Sequence, residues 1–180
     1  MHVRRLGALL SCVAALLVAL TATPAGAQPA QHSRAAVPAQ LRQVMRAHPG
    51  GKLIAPNVAA WDGGKITYGV PDAAAPNATH ECAMGYYCFY QDANYSGAWV
   101  QWDPAYCDSS VGNFTWWTGW NDAISSWMNK TYKKINVYEN TDLGGRLLWS
   151  EPPMPNNHSW YAWTYVGDAN NDRASSFNCP

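Results

Sequence analysis

Charge is scarce in this 180-residue chain, and the two signs balance: 12 Lys and Arg face 12 Asp and Glu, together 13% of the residues. Such a composition supplies no basic field of the kind that binds nucleic acid or an anionic membrane. Histidine is sparse and scattered, and the chain contains no His-Glu-x-x-His, Gly-x-Ser-x-Gly or phosphate-cradling glycine loop. The sequence therefore predicts neither a nucleic-acid-binding protein nor an enzyme.

Only the N-terminus carries a long apolar run. Residues 1–27 combine Arg4 and Arg5, an apolar stretch, and a small-residue cleavage site at 25–27, which is the pattern of a secretory signal. A membrane-spanning helix is disfavoured because the run is short and Pro24 interrupts it. We therefore expect a secreted protein without a membrane span. Removing the signal leaves ten basic and twelve acidic residues, a formal charge of −2.

Cysteines of the mature chain are few, and none occurs in the paired Cys-x-x-Cys spacing that a zinc site needs. The four that follow the signal are Cys82, Cys88, Cys107 and Cys179. An even number of cysteines in an exported protein predicts disulfides. Three pairings are possible, and the spacing alone leaves them open.

Residues 28–79 form an extension that differs in composition from the rest of the chain. Its first part, up to residue 36, is rich in Ala, Gln, Ser and Pro, and 38–46 predicts a short helix with its apolar residues on one side. The other predicted elements are strands at 52–54 and 65–70, a turn at 62–64, and a linker at 71–79. Whether 38–70 packs on the core or forms a cleavable leader is open at this point.

A six-residue pattern, Asn-Asp-x-x-Ser-Ser followed by an aromatic residue, occurs twice. The copies lie at 121–126 and 171–176, about 50 positions apart. Repetition at this strictness indicates a duplicated unit. Both copies concentrate small oxygen-bearing side chains, which are the ligands that Ca²⁺ requires.

The duplicated unit has an earlier half, at 90–97 and 138–145. In the first copy a tyrosine is followed by four residues, an aromatic residue, one further residue and a glycine; in the second copy Leu143 replaces the second aromatic residue. A strand that ends at the tyrosine, a tight fold-back and a glycine with positive φ explain this spacing. A strand-like run follows each glycine, at 98–102 and 146–149, so one unit of roughly 48 residues occurs twice.

These two signatures resemble those of the βγ-crystallin superfamily. Together with the cysteine-flanked segment 82–88, they are similar to the secreted actinobacterial proteins of the Streptomyces metalloproteinase inhibitor family. The resemblance covers about residues 80–180. It implies an all-β fold, a βγ-crystallin-like two-sheet sandwich of two Greek-key motifs at about 86–128 and about 132–178, preceded by a short helix and strand extension. It also favours a Cys82–Cys88 bond, which leaves Cys107 for Cys179.

The resemblance further implies two Ca²⁺ sites, each completed by the other repeat. Asn121 and Asn171 would open the two loops. One site would use the Ser125 hydroxyl, the Ala123 carbonyl, the Asp172 side chain and a carbonyl near Glu139. The other would use the Ser175 hydroxyl, the Arg173 carbonyl, the Asp122 side chain and a carbonyl near Gln91. Arg173 would donate only its backbone oxygen, since its guanidinium can point to water. The competing interpretation is that Asn, Asp and Ser only form turns here and cap their own backbone.

Nine of the ten tryptophans lie in the part of the chain that resembles the superfamily. A domain of about 100 residues needs large side chains to bury enough surface, so most of them are expected in the core. Segment 116–120 holds three tryptophans, and adjacent strand positions point to opposite faces, so some of these rings should face solvent. The segment 160–163 occupies the equivalent place in the second repeat.

Two functions remain for a secreted, non-enzymatic domain of this kind. The resemblance implies a peptidase inhibitor with a secreted metalloprotease as target, although the second small disulfide ring that holds the reactive loop in the family is missing. The candidate reactive loops are then 103–113 and 151–160. The alternative is a calcium-stabilised extracellular binding or stress module without inhibitory activity, which contacts cell-wall polysaccharide through its tryptophans. A monomer is expected in either case.

Overall fold

A computed structural model describes residues 37–103, 105, 112–114, 119–155 and 160–180. The expected signal sequence, Cys107 and much of both candidate reactive loops lie outside these residues. The described part contains one α-helix, α1 (Ala39–Ala47), and eleven strands. The strands are β1 (Lys52–Ala55), β2 (Val58–Trp61), β3 (Ile66–Gly69), β4 (Tyr87–Asp92), β5 (Ser96–Trp102), β6 (Gly112–Asn113), β7 (Ser126–Asn129), β8 (Ile135–Tyr138), β9 (Leu147–Glu151), β10 (Tyr161–Trp163) and β11 (Ser176–Asn178).

The described strands form two antiparallel sheets. The larger has the order β1-β2-β3-β5-β4-β7-β10, and the smaller has the order β6-β11-β8-β9. Each repeat contributes four strands, and the third strand of each pairs in the sheet of the other repeat: β6 pairs with β11, and β10 pairs with β7. The expected two-sheet sandwich of two interlocked Greek-key motifs is therefore confirmed.

The N-terminal extension adds a helix and three strands to this sandwich. Helix α1 buries Leu41 and Val44 completely, which are three positions apart and share one face. Strand β3 pairs with β5 along its whole length, so the extension lengthens the larger sheet. Residues of α1, β2 and β3 belong to the same buried cluster as Phe89 and Trp127 of the first repeat. The extension thus packs on the core, which answers the question that the sequence left open.

Strand β2 is an element that the sequence pattern missed. Its sequence, Val-Ala-Ala-Trp, has neither the alternation nor the β-branched content typical of a strand. It forms because it lies between β1 and β3 and packs against α1, so that Ala59 and Ala60 are buried. The small side chain of Ala59, which lies in the same buried cluster as Leu41 and Val44, leaves room for the helix.

The two fold-backs have the same backbone conformation. Asn94 and Tyr95 in the first have φ of 59° and 60°, and Asp142 and Leu143 in the second have φ of 56° and 60°. The glycines that follow also have positive φ, and a Cβ on Gly97 would lie 2.5 Å from an oxygen of the Asp92 carboxylate. Leucine in place of the second aromatic residue therefore leaves the fold-back unchanged.

A disulfide joins Cys82 and Cys88, with 5.7 Å between the Cα atoms, and both cysteines are buried. The pairing favoured by the family resemblance is confirmed. Cys179 is also disulfide-bonded, and the partner expected for it, Cys107, lies outside the described residues. Of the helices in the described ranges, none is long and apolar enough to cross a membrane.

Candidate functional site

The two Asn-Asp-x-x-Ser-Ser segments lie side by side and follow the same path. In each, the aspartate has a φ of 54°, and the chain then enters β7 or β11. The Asp122 N–H donates to the Ala174 carbonyl at 3.1 Å, and the Asp172 N–H is directed at the Ile124 carbonyl at 3.4 Å. The duplicated segments are therefore each other's neighbours across an approximate twofold axis.

One side-chain bond joins the two segments directly. The Ser175 hydroxyl donates to Oδ1 of Asp122 at 2.9 Å. The symmetric bond, from Ser125 to Asp172, is not formed between these described residues. The serine–aspartate hydrogen bond between the two segments is therefore formed on one side of the axis only.

Both aspartates are oriented by the asparagine that precedes them. Asn121 Nδ2 donates to Asp122 Oδ2, and Asn171 Nδ2 donates to Asp172 Oδ2, each at 2.7 Å. The Oδ1 atom of each carboxylate is left for other partners. Asn171 Oδ1 is buried and has no hydrogen-bond partner among the described residues, which is unusual because buried polar oxygens are normally paired.

Backbone carbonyl oxygens of the paired segments and of Glu139 add to the polar atoms that the side chains supply. The Ile124 and Ala174 carbonyls accept the bonds between the segments. By contrast, no hydrogen bond within the described ranges ends on the carbonyls of Ala123, Arg173 or Glu139. The available atoms are thus carboxylate, hydroxyl, amide and carbonyl oxygens, a set that suits a hard cation such as Ca²⁺. No group of three His, Cys, Asp or Glu side chains that could hold a metal occurs within the described ranges.

An open depression brings together six of the ten residues that the sequence analysis assigned to calcium. Its lining consists of Asn121, Asp122, Glu139, Asn140, Thr141, Asp172, Arg173 and Ser175. Of the other four residues, Ala123, Ser125 and Asn171 belong to the paired segments but do not line the depression. Gln91 lies in β4, where its side-chain amide donates to the Gly119 carbonyl at 2.8 Å.

The Arg173 side chain reaches solvent, as expected, but it also pairs with a neighbouring carboxylate. Its guanidinium donates to the Glu139 carboxylate at 2.8 Å, although 53% of the side chain is exposed. The Nε atom of Arg146 lies 4.0 Å from the other oxygen of Glu139. The pairing places a cation at the edge of a depression whose lining includes three acidic residues, Asp122, Glu139 and Asp172. Glu139 can therefore offer its carbonyl to a metal more readily than its carboxylate.

The second serine of each segment has a structural role that the sequence analysis missed. Ser126 is fully buried; its hydroxyl donates to the Asp92 carbonyl at 2.6 Å and accepts from the Tyr95 N–H at 3.0 Å. Ser176 repeats this with the Asn140 carbonyl and the Leu143 N–H. Each of these serines therefore joins a fold-back, through two hydrogen bonds, to the strand that follows the Asn-Asp-x-x-Ser-Ser loop. The sequence feature that could have indicated this role is the recurrence of the second serine in both repeats.

A comparison with protein families supports the resemblance to peptidase inhibitors. Residues 75–150 match the model of peptidase inhibitor family I36, which confirms the family resemblance. Because that family consists of inhibitors, the match also supports the expectation that the chain is not an enzyme. No curated protein matches the chain.

Several solved βγ-crystallin structures are similar to the chain. One, from work on the evolution of the eye-lens βγ-crystallin domain fold, is 20% identical with a TM-score of 0.45, over 64% of this chain and 96% of that one. A domain from Clostridium beijerinckii is 23% identical with a TM-score of 0.40, over 52% and 95%. A βγ-crystallin from Ciona intestinalis is 15% identical with a TM-score of 0.41, over 53% and 100%.

Proposed function

We propose, from the match of residues 75–150 to an inhibitor family, that this chain is a secreted calcium-binding protein that inhibits a peptidase, with a metalloprotease as target. The observation that supports calcium binding is the direct pairing of the two oxygen-rich segments, with Ser175 on Asp122. Secretion accords with the buried Cys82–Cys88 disulfide, since such bonds persist in oxidising compartments.

The donor atoms fit a calcium shell. The hydroxyl of Ser175 and Oδ1 of Asp122 are 2.9 Å apart. Two oxygens that each lie about 2.4 Å from one ion have this separation when they subtend an angle of about 74°, close to that of neighbours in a pentagonal ring of ligands. On the other side of the axis, Asp172 and the free carbonyls of Ala123 and Glu139 would contribute to the second site with Ser125. Bound calcium would join the two repeats through their loops.

The affinity should be modest. Each site has about one carboxylate, and Glu139 is paired with the Arg173 guanidinium, so the pair adds no net negative charge. Sites of low ligand charge bind Ca²⁺ with dissociation constants of tens of micromolar or weaker, about 10⁻⁵–10⁻³ M. Calcium at tenfold excess over the dissociation constant stabilises the folded state by about 1.4 kcal/mol.

Calcium should raise the melting temperature of the mature protein, and replacing Asp122 and Asp172 together by alanine should abolish the rise. The physical reason is that each carboxylate is the one strong anionic ligand of its site. Calorimetric titration and thermal unfolding with and without calcium measure the effect. As a matched control, Asp62→Ala with Asp72→Ala removes two exposed carboxylates of the extension and should leave the calcium response intact. Absence of binding heat in the unsubstituted protein would refute the calcium site.

A protease inhibitor needs a binding loop that is already ordered, because little conformational entropy is then lost on binding. The two-sheet domain can support such a loop. Part of one candidate loop is, however, held by the core. Met154 is buried, its N–H donates to the Thr131 carbonyl at 2.7 Å, and Asn129 Nδ2 donates to the Pro152 carbonyl at 3.1 Å. Residues 152–155 therefore act as an anchored support and do not themselves offer an extended strand to an active-site cleft.

Incubating the mature chain with a thermolysin-type metalloprotease should remove its activity at sub-micromolar inhibitor. Residual peptidase activity against a small chromogenic substrate measures the effect, with electrophoresis to follow the integrity of the chain. A trypsin-like serine protease serves as the control and should keep its activity. Full metalloprotease activity at micromolar chain, or steady digestion of the chain, would exclude inhibition of this peptidase class. Either result would leave the calcium site unaffected.

A further inference from the structure

A small cavity opens between the edge strands of the two sheets, away from the paired loops. Its volume is about 120 Å³, and its lining consists of Trp127, Leu148, Trp149, Trp163, Val166 and Asn170. The residues come from β7 and β10 of the larger sheet, from β9 of the smaller sheet, and from the loop after β10. Neither the calcium site nor the family match involves this cavity as a whole.

Three indole rings form its walls. Trp127 is buried, and Trp149 lies nearly parallel to it, with 6.3 Å between ring centroids and 21° between ring planes. Trp163 stands opposite Trp127 in the β10–β7 pairing, so both side chains are on the same face of the sheet. The cavity is thus a tryptophan-walled recess at the open edge of the sandwich.

Trp163 is 51% exposed, and its backbone is held by the pairing of β10 with β7. An exposed indole on a paired strand offers a large flat surface. It also loses little conformational entropy on binding, because a tryptophan side chain has only two torsion angles.

Asn170 supplies a fixed polar edge. Its Nδ2 donates to the Val166 carbonyl at 3.2 Å, and its backbone N–H donates to the Gly167 carbonyl at 2.9 Å. Arg146 approaches Oδ1 of Asn170 at 3.5 Å. The described lining contains no charged side chain. Because the lining is mainly apolar and aromatic with a single amide, the cavity suits a neutral ligand with one apolar face and a polar rim.

We propose that this cavity binds a single neutral pyranose ring of an extracellular polysaccharide. The C–H face of the sugar would lie on Trp163, and its hydroxyl groups would meet the Asn170 amide. At about 120 Å³ the cavity is smaller than the roughly 300–1,000 Å³ of pockets that enclose a drug-sized ligand, so the ring would lie across its mouth against the half-exposed Trp163. An apolar side chain of a partner protein could also fill the recess, but it would offer no hydrogen-bonding group to the Asn170 side-chain amide. The proposal depends on neither calcium binding nor peptidase inhibition.

The test uses the mature chain with three soluble probes: the β-1,4-linked trimers of N-acetylglucosamine and of glucose, and the β-1,3-linked trimer of glucose. We expect at least one to produce a saturable change in tryptophan fluorescence and a binding heat. Trp163→Ala should weaken that binding at least about tenfold, because the stacking surface is lost. Asn170→Ala should weaken it several-fold.

Trp160→Ala is the matched control. Trp160 is equally exposed, at 50%, but it precedes β10 and lies against Lys130, outside the cavity. Its removal should leave the affinity within about twofold, and both variants should keep the melting temperature of the unsubstituted protein. Failure of all three trimers to bind, or equal weakening by the two substitutions, would overturn the proposal. Loss of metalloprotease inhibition in Trp163→Ala, without saccharide binding, would assign the recess to a protein partner instead.

Discussion

Replacing Leu41 by alanine should destabilise the folded protein by about 2–5 kcal/mol, the range found when a buried leucine is cut back to a methyl group. Leu41 lies on α1 and is completely buried in the cluster that also contains Phe89 and Trp127 of the first repeat. The N-terminal extension is therefore part of the hydrophobic core, and a cavity at Leu41 removes contacts from that core. Urea unfolding of the mature chain, followed by tryptophan fluorescence, measures the loss.

Leu53→Ala is the control for this prediction, since it makes the same chemical change in the same extension. Leu53 lies on the edge strand β1 and is 46% exposed, so its truncation should cost no more than about 0.5 kcal/mol. If the extension were a cleavable leader that the rest of the domain does not need, the two variants would unfold at the same urea concentration. That outcome would contradict the packing of α1 on the core.

The repeats explain why much of the fold could be predicted from sequence. The fold-backs require glycine with positive φ at one place, and Gly97 and Gly145 supply it in both copies. Helix α1 was predictable because Leu41 and Val44 are spaced for one face. Strand β2 could not be predicted, because it forms only through its pairing with β1 and β3 and not through the strand preference of its own residues.

The candidate site was predictable in composition but not in detail. The sequence identifies the oxygen-rich segments, and their duplication indicates that they pair. It does not show that Arg173 pairs with Glu139, because this contact joins residues 34 positions apart that only the folded chain brings together. Nor does it show the recess beside Trp163, which exists only where the edge strands β9 and β10 of different sheets meet.

The two adjacent serines of each repeat should have separable effects. Ser126→Ala should destabilise the calcium-free protein by about 1–3 kcal/mol, because the Tyr95 N–H and the Asp92 carbonyl both lose their partner hydroxyl, at about 0.5–1.5 kcal/mol for each hydrogen bond. The hydroxyl of Ser126 currently serves both groups. Ser176→Ala should behave alike in the second repeat, where Asn140 and Leu143 take these places.

Ser125→Ala changes the neighbouring residue and should cost less than about 1 kcal/mol without calcium, since the Ser125 hydroxyl makes no hydrogen bond within the described ranges. Its effect should instead be a smaller calcium-induced rise in melting temperature, because one ligand of a proposed site is removed. Thermal unfolding of both variants with and without calcium separates the two roles. Equal destabilisation by Ser125→Ala and Ser126→Ala, or an unchanged calcium response in Ser125→Ala, would contradict this division. If the two effects separate as expected, the Asn-Asp-x-x-Ser-Ser pattern combines a metal ligand and a structural hydrogen-bonding residue in consecutive positions, which explains why both serines recur in each repeat.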